Sequence, residues 1–216
     1  MLLVHGAAGQ DLLQYRSFAL RSSLAAVAKI AGVGPSGATT IHRRPAVLQE
    51  LEWRPSRWIA GSASVSTDPV ERIVFSFYDD QLYRIVVDYA RDRTEGMTEA
   101  DMVDALSRVY GAVERLPGVL GAAAQVETEP GTAIARWLRD GHGVILYRTS
   151  SYREGFRLIA SDSGLDAAAR KASTEARRLD QQEAPLREIA RRKKEQEDGR
   201  AAADKARVIN KGAFRP

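Results

Sequence analysis

The chain has 216 residues, of which 44% are hydrophobic and 28% are charged, so it holds enough apolar material for one sizeable core or two small ones. It has no cysteine, which excludes disulfides, thiolate metal sites and a cysteine nucleophile. No apolar run approaches the roughly 18 residues that a membrane-spanning helix needs. The formal charge of +4 is concentrated in residues 165–216, which carry 14 basic and 9 acidic residues. The rest of the chain is close to neutral and gives no electrostatic reason to expect nucleic acid.

Residues 1–15 begin with Leu2, Leu3 and Val4, and small residues follow up to about Ala8. This order is typical of the end of a secretory signal peptide, although the apolar run is shorter than the usual ~7 to 15 residues. We weigh two interpretations equally, a signal-peptide remnant and a flexible N-terminus. The first predicts a periplasmic or secreted protein, and the second leaves a cytoplasmic location open.

A short helix is predicted to follow this N-terminal segment. Ser22 and Ser23 are both good N-cap residues, and the apolar residues after them recur at helical spacing. The pattern ends at Gly32, a residue that favours the left-handed conformation found just after many helices. We therefore expect a short helix that begins after Ser22 or Ser23 and ends at Gly32 or Gly34.

The segment LRSSLAAVAKIAGV resembles the opening of the repeats of β-lactamase inhibitor proteins and of small outer-membrane assembly lipoproteins, in which a helix ends in Gly before a β-meander. Ser23, Val27 and Gly32 match that pattern, whereas Arg21 and Ser22 stand where the family prefers Gly and an apolar residue. The segment FSFYDDQLYRIVV is similar to the first hairpin of the same architecture, and the chain is similar in character to secreted bacterial proteins that share it. The resemblance implies a fold and an exported binding role, and it assigns a role to no residue.

Residues 71–89 form two runs rich in Ile, Val, Phe and Tyr, which predict a β-hairpin closed by a polar three-residue loop. Pairing Tyr78 with Leu82 makes one face of the hairpin fully apolar, so other elements have to cover it. A two-residue loop would instead set Phe75 against Arg84 and move side chains to the wrong face. We therefore predict the longer loop.

The remaining pattern predicts an α+β fold in which a helix is followed by an antiparallel β-meander. Thr98 with Asp101 is a capping pattern that opens a second helix, the natural cover for the hairpin. The other predicted elements are a strand at 46–54 and short strands at 132–139, 143–149 and 155–161. The order predicts a loosely duplicated domain at 16–164 with halves 16–111 and 112–164.

Residues 165–216 are rich in Ala, Arg, Lys, Glu and Gln and predict a long charged helix. Pro185 lacks a backbone donor, so we expect the helix to kink or restart there. The first apolar residues fall near heptad spacing, which allows a weak coiled coil and a homo-oligomer through this helix. Acidic residues interspersed in KKEQEDGR argue against binding to phosphates, so no nucleic-acid partner is expected.

No motif in the sequence carries a catalytic signature. His5, His42 and His142 lie in separate segments without metal-ligand spacing, so neither a metal site nor a cofactor is expected. Asp140, His142 and Ser150 could be drawn as a triad, but no nucleophile elbow or Gly-rich oxyanion turn stands beside Ser150. Asp140 is better explained as a turn residue.

The leading functional hypothesis is a non-enzymatic protein-binding or envelope-associated protein that uses a sheet surface. Interfaces favour Trp, Tyr and Arg, so the candidate binding residues are Trp53, Trp58, Tyr78 and Arg84. One alternative is a hydrolase-like enzyme with its site on the concave sheet face, and another is a coiled-coil assembly protein. An exposed aromatic patch without a pocket would favour binding, whereas a deep pocket with convergent ionisable groups would favour catalysis.

Overall fold

The computed structural model describes residues 12–56, 67–115, 131–149, 155–213 and 215. The chain divides into a globular unit that ends at Ala172 and a helical unit that begins at Ser173. The antiparallel sheet of the globular unit and the long C-terminal helix confirm the predicted α+β class. The predicted boundary at residue 165 lies close to the start of that helix, at Ser163.

The described elements follow in chain order. They are β1 Gln14–Tyr15, β2 Phe18–Ala19, α1 Leu24–Ala31, a 3-10 turn at Pro35–Gly37, β3 Thr39–His42, β4 Leu48–Trp53, β5 Val70–Tyr78, β6 Gln81–Tyr89, α2 Arg91–Thr94, α3 Glu99–Tyr110, β7 Glu114–Arg115, β8 Thr132–Arg139, β9 His142–Thr149, β10 Gly155–Asp162 and α4 Ser163–Ala213. The sequence analysis did not predict β1, β2, β3 or β7, which are all short.

Eight of the described strands form one antiparallel sheet in the order β3-β4-β5-β6-β10-β9-β8-β7, and β1 pairs with β2 in a separate two-stranded sheet. Each half of the large sheet is made of four consecutive strands. The two halves join where β6 pairs with β10. A helix precedes each half, α1 before β3 and α3 before β7. The duplication itself stays a prediction, because strand order alone does not test common descent.

The main core lies on one face of the large sheet, which we call the core face. Its largest fully buried side chains are Leu12, Val27, Leu51, Ile73, Phe75, Phe77, Leu82, Ile85, Val87, Trp137, Leu146 and Leu158. Helices α1 and α3 and the segment before α1 supply the cover for this face. Since Leu12 and Tyr15 are both buried, the packed part of the chain starts before residue 16, where the domain was predicted to begin.

Both predicted helices of the globular unit begin at a predicted N-cap residue, and α1 also ends at a predicted glycine. Ser23 is the N-cap of α1, and Gly32 follows that helix with φ of 68°. Thr98 is the N-cap of α3, and its side chain exchanges hydrogen bonds with Asp101 in a capping box. The capping interpretation of the sequence is therefore confirmed at both helices.

The hairpin of β5 and β6 closes with a two-residue turn, so the predicted three-residue loop is wrong. Strand pairing continues to Tyr78, and Asp79 and Asp80 form the turn with φ of 45° and 65°. Asp tolerates this left-handed conformation better than most residues. Both carboxylates are also used, because Asp79 Oδ1 accepts from the N–H of Val47 at 2.8 Å and Asp80 Oδ1 accepts from that of Leu24 at 2.9 Å.

A bulge in the hairpin restores the predicted register beyond the turn. Between the pair nearest the turn and the pair of Ser76 with Arg84, β6 contains one extra residue, Tyr83. From there Phe75 lies opposite Ile85, as predicted. The short turn therefore does not move the apolar side chains to the wrong face.

Helix α4, Ser163–Ala213, contains Pro185 inside it, so the helix does not restart at the proline. Ion pairs between residues three or four positions apart occur along the part of α4 that forms the helical unit. Arg191, for example, pairs with Glu188 at 2.9 Å and with Glu195 at 2.6 Å. Such pairs stabilise exposed helices by about 0.2–0.5 kcal/mol each. In the part of the chain that the structure describes, no helix is long and apolar enough to cross a membrane.

Candidate binding site

The face of the sheet opposite the core, here called the second face, carries three rows of side chains that run across the strands. Because side chains alternate between faces along a strand, residues paired in register share a face. The polar row consists of Glu50, Ser76, Arg84 and Ser161. The apolar row consists of Val74, Val86, Ile159 and Ile145. The charged row consists of Arg72, Asp88 and Arg157.

The charged row is a structural ion-pair network. Asp88 accepts a hydrogen bond from Arg72 Nη2 at 2.6 Å and another from Arg157 Nε at 2.6 Å. Burial alone would raise the pKa of Asp88, but the two guanidinium groups lower it below its ordinary value. The network ties β5, β6 and β10 together, so these charges are satisfied within the protein.

A pocket of about 810 Å³ lies on the second face, between strands β6, β8, β9 and β10 and the first turns of α4. Its floor is apolar and consists of Ile145, Tyr147 and Ile159. Leu138 stands at its edge with 60% of its surface exposed. The volume falls within the range of about 300–1,000 Å³ that is typical of ligand pockets.

Charged side chains surround the apolar floor. Arg84, Arg139 and Arg170 contribute positive charges, and Asp140 and Asp166 contribute negative ones. Arg170 Nη2 donates a hydrogen bond to Asp166 Oδ2, so one opposite pair is neutralised within the wall. The formal charges that line the pocket therefore sum to one positive charge when His142 is neutral.

Asp162 connects the pocket wall to the start of α4. Its side chain is almost fully buried, and Oδ1 accepts from the backbone N–H of Leu165 at 3.0 Å, which caps the helix. Oδ2 accepts from Arg21 Nε at 2.8 Å, and His142 Nε2 lies 3.3 Å from the same oxygen. Burial would raise the pKa of Asp162, but the Leu165 N–H, Arg21 and His142 together lower it.

The pocket has the ionisable groups that a catalytic site needs, but not the arrangement. Ser163 Oγ donates to the carbonyl oxygen of Gly141 at 2.6 Å, and no hydroxyl of the described residues hydrogen-bonds to His142. No base therefore faces a hydroxyl nucleophile in the described lining. No group of three or more metal-ligating side chains converges within the described ranges either.

The structure separates the residues that the sequence put forward for binding. Trp53 lies on the core face, where it is partly buried and its ring is 5.8 Å from that of Phe18. Tyr78 and Arg84 lie on the second face, and Arg84 lines the pocket. Trp58 is outside the described residues. Of the three candidates that the structure describes, Arg84 alone lines the pocket.

The other residues discussed from sequence have simpler placements. Asp140 and Gly141 form the turn between β8 and β9 with φ of 47° and 78°, as their turn chemistry predicts. His42 lies in β3, far along the sheet from the pocket strands, while His5 and Ser150 are outside the described residues. The sequence analysis missed the association of His142 with Asp162, which the pairing of β9 with β10 brings together.

Comparisons of the chain with family models, with curated proteins and with solved structures found no match. The resemblance to β-lactamase inhibitor proteins therefore stays an expectation that rests on the residues quoted for it. Arguments about function have to start from the pocket and its surroundings.

Proposed function

We propose that this chain is a non-enzymatic binding protein that holds a protein partner in the pocket on the second face. The observation that carries the proposal is the combination of an apolar floor with a charged rim, without a nucleophile and base in contact in the described lining. Partner proteins commonly anchor one or a few side chains in such pockets. Arg84, a residue type that interfaces favour, belongs to this rim.

The exposed edge of the pocket supports the same proposal. Leu138 is a large apolar side chain that is 60% exposed although it belongs to a sheet strand. A partner that covers Leu138 and the floor would remove apolar surface from water, which contributes about 25 cal/mol per Å². The rim charges would then set the orientation of the partner.

An exported, envelope-associated location is part of the proposal. The resemblance to secreted proteins of the β-lactamase inhibitor architecture supports it. A cytoplasmic location is the alternative. Protein adducts formed by crosslinking are therefore to be analysed separately in the envelope fraction, the medium and the cytosolic fraction.

Site-specific photocrosslinking tests the binding function. A benzoylphenylalanine at Leu138 in the full chain, expressed in its native host, is expected to give a discrete protein adduct after irradiation. The control is the same probe at Ile41, which is 48% exposed on β3 at the edge of the same sheet. Adducts of equal yield and identical mass at both positions, or none at Leu138, would contradict a pocket-centred partner.

Assembly through the helical unit is a second candidate function with its own observation. Large apolar side chains are exposed there, namely Leu186, Ile189, Val208 and Ile209. We expect truncation after Asp180 to lower the number of chains per particle found by sedimentation equilibrium, because the apolar positions lie beyond that residue. The double substitution Leu186→Glu with Ile189→Glu is the full-length control. An unchanged number of chains per particle would remove this candidate.

A further inference from the structure

We infer that the protein partner held in the pocket is a second copy of this chain, which places its own Leu138 over the apolar floor. The inference rests on the proposed function, since it names the partner of the same pocket. It follows from two features that lie side by side on the second face, an exposed apolar side chain and an apolar recess.

Leu138 is the exposed feature. It is 60% exposed at the edge of the pocket and lies opposite Gly143 in the pairing of β8 with β9. A Cβ atom at position 143 would lie 3.0 Å from Leu138 Cδ2, so the glycine leaves the space that the leucine side chain uses beside β9. The two strands therefore present a large apolar side chain at the rim, where a partner can reach it.

The recess lies next to Leu138, on β9 and β10. Ile145 and Ile159 are paired in register, and together with Tyr147 they form the floor. Tyr147 and Ile159 also pack with Ala133 in a small cluster that is separate from the main core. The floor is therefore a continuous apolar surface, and a volume of about 810 Å³ leaves room for an apolar side chain of a partner.

A surface that carries both features is complementary to itself. In a contact with two-fold symmetry the same patch of both copies takes part, so each exposed side chain meets the recess of the other copy. Leu138 of each copy would then cover Ile145 and Ile159 of the other, and both apolar surfaces would leave water together. An unrelated partner would need an apolar anchor for the recess and a recess for Leu138, whereas a second copy has both.

The charges of the rim also suit two copies that face each other. Asp166 is paired with Arg170, and Arg84 has an interaction partner within the protein. Arg139 and Asp140 lie next to each other at the turn of β8 and β9, and both are exposed. Across a two-fold axis Arg139 of one copy faces Asp140 of the other, and the reverse, so one opposite pair forms twice.

Sedimentation equilibrium of the purified full chain tests the inference. We expect two chains per particle, and Leu138→Glu should raise the dissociation constant of the dimer at least about a hundredfold, because each dimer loses two buried leucine contacts. Ile41→Glu is the matched control, since Ile41 is 48% exposed on β3 and outside the pocket lining. One chain per particle in the unsubstituted protein, or equal effects of the two variants, would overturn the inference.

Arg139→Glu is a second variant, which leaves the apolar surfaces in place and serves if Leu138→Glu does not fold. It sets acidic residues of the two copies against each other and should weaken the dimer about tenfold at low salt. About 0.5 M NaCl should recover most of this loss by screening. Arg54→Glu is the control, because Arg54 is 60% exposed and outside the pocket lining. An unchanged dissociation constant for Arg139→Glu would overturn the two-fold arrangement.

Association through the helical unit is separated from this contact by the full-length variant Leu186→Glu with Ile189→Glu. Both substitutions lie outside the globular unit, so the variant should keep two chains per particle if the pocket is the contact. Loss of the dimer in this variant, with Leu138→Glu still dimeric, would overturn the inference.

Crosslinking shows what fills the pocket. Unlabelled and heavy-isotope full chains, each with benzoylphenylalanine at Leu138, are mixed and irradiated, and peptides that join position 138 of one copy to β9 or β10 of the other are expected. If the probe in the native host instead joins a different protein and the purified chain is a monomer, this inference is overturned while the proposed function stands. If the probe forms no adduct in the host or in the purified protein, both are overturned.

Discussion

Replacement of Phe75 by alanine is expected to destabilise the globular unit by about 4 kcal/mol, the cost of emptying a large buried site. Phe75 is fully buried at the centre of the core face, and its ring centroid lies 4.6 Å from that of Phe18. Its neighbours in register are Leu51 on β4 and Ile85 on β6. The cavity would therefore open between three strands and the segment before α1, where little can move in to fill it.

Urea unfolding followed by tryptophan fluorescence measures this effect, because Trp53 packs against the core and Trp137 lies within it. The control is Ile41→Ala, which removes apolar atoms from a side chain that is 48% exposed on β3. That change should cost less than about 0.5 kcal/mol, since surface substitutions have small effects. A loss below 1 kcal/mol for Phe75→Ala would show that the core is not packed as described.

Local signals in the sequence predicted the helices of the globular unit well. Ser23 and Gly32 delimit α1, and Thr98 begins α3 with its capping box. These predictions succeed because a capping residue acts on the backbone within its own turn, so no distant part of the chain is needed to interpret it. The strands β5 and β6 were predicted for a similar reason, since alternation is also a local property.

The turn of the hairpin was not predictable in the same way. The observed two-residue turn needs φ above zero at Asp79 and Asp80, and this conformation is most often signalled by Asn-Gly or Asp-Gly. Here partners from elsewhere support it, namely the backbone N–H groups of Val47 and Leu24. The bulge at Tyr83 then corrects the register. Neither the turn supported by distant N–H groups nor the bulge has a local sequence signature.

The candidate site was largely out of reach from sequence. Aromatic and charged residue types pointed to Arg84, which lines the pocket, but also to Trp53, which packs on the core. Residue type alone does not say which face a strand residue occupies. The association of His142 with Asp162 needed the register of β9 with β10, and the pocket needed α4 to start over that edge. In the sequence, only the two strands predicted at 143–149 and 155–161 pointed to the pairing that brings His142 and Asp162 together.

Asp162 lies between Ser161 and Ser163 of the pocket lining, and Asp162→Ala is expected to lower the free energy of unfolding by about 3 kcal/mol. Alanine removes the side chain that caps α4. It also removes the buried carboxylate to which Arg21 donates a hydrogen bond. Asp162→Asn is the matched variant, because Asn also caps helices but carries no charge. It should cost about 1 kcal/mol, as expected for a pair whose arginine is largely exposed. Equal losses for both variants in urea unfolding would contradict a capping role.

The charge of Asp162 should also appear in the pH dependence of stability. Its pKa in the folded protein is lowered from the ordinary value of 3.8, so the folded state favours the carboxylate. The resulting stabilisation is fully present above about pH 5 and is lost as the pH falls through the lowered pKa. The difference in unfolding free energy between the unsubstituted protein and Asp162→Asn should therefore shrink as the pH falls below about 4, where the neighbouring His142 no longer changes its protonation. Because the other carboxylates titrate alike in both proteins, the change in this acidic range isolates Asp162, and a gap that widens there would contradict the ion pair.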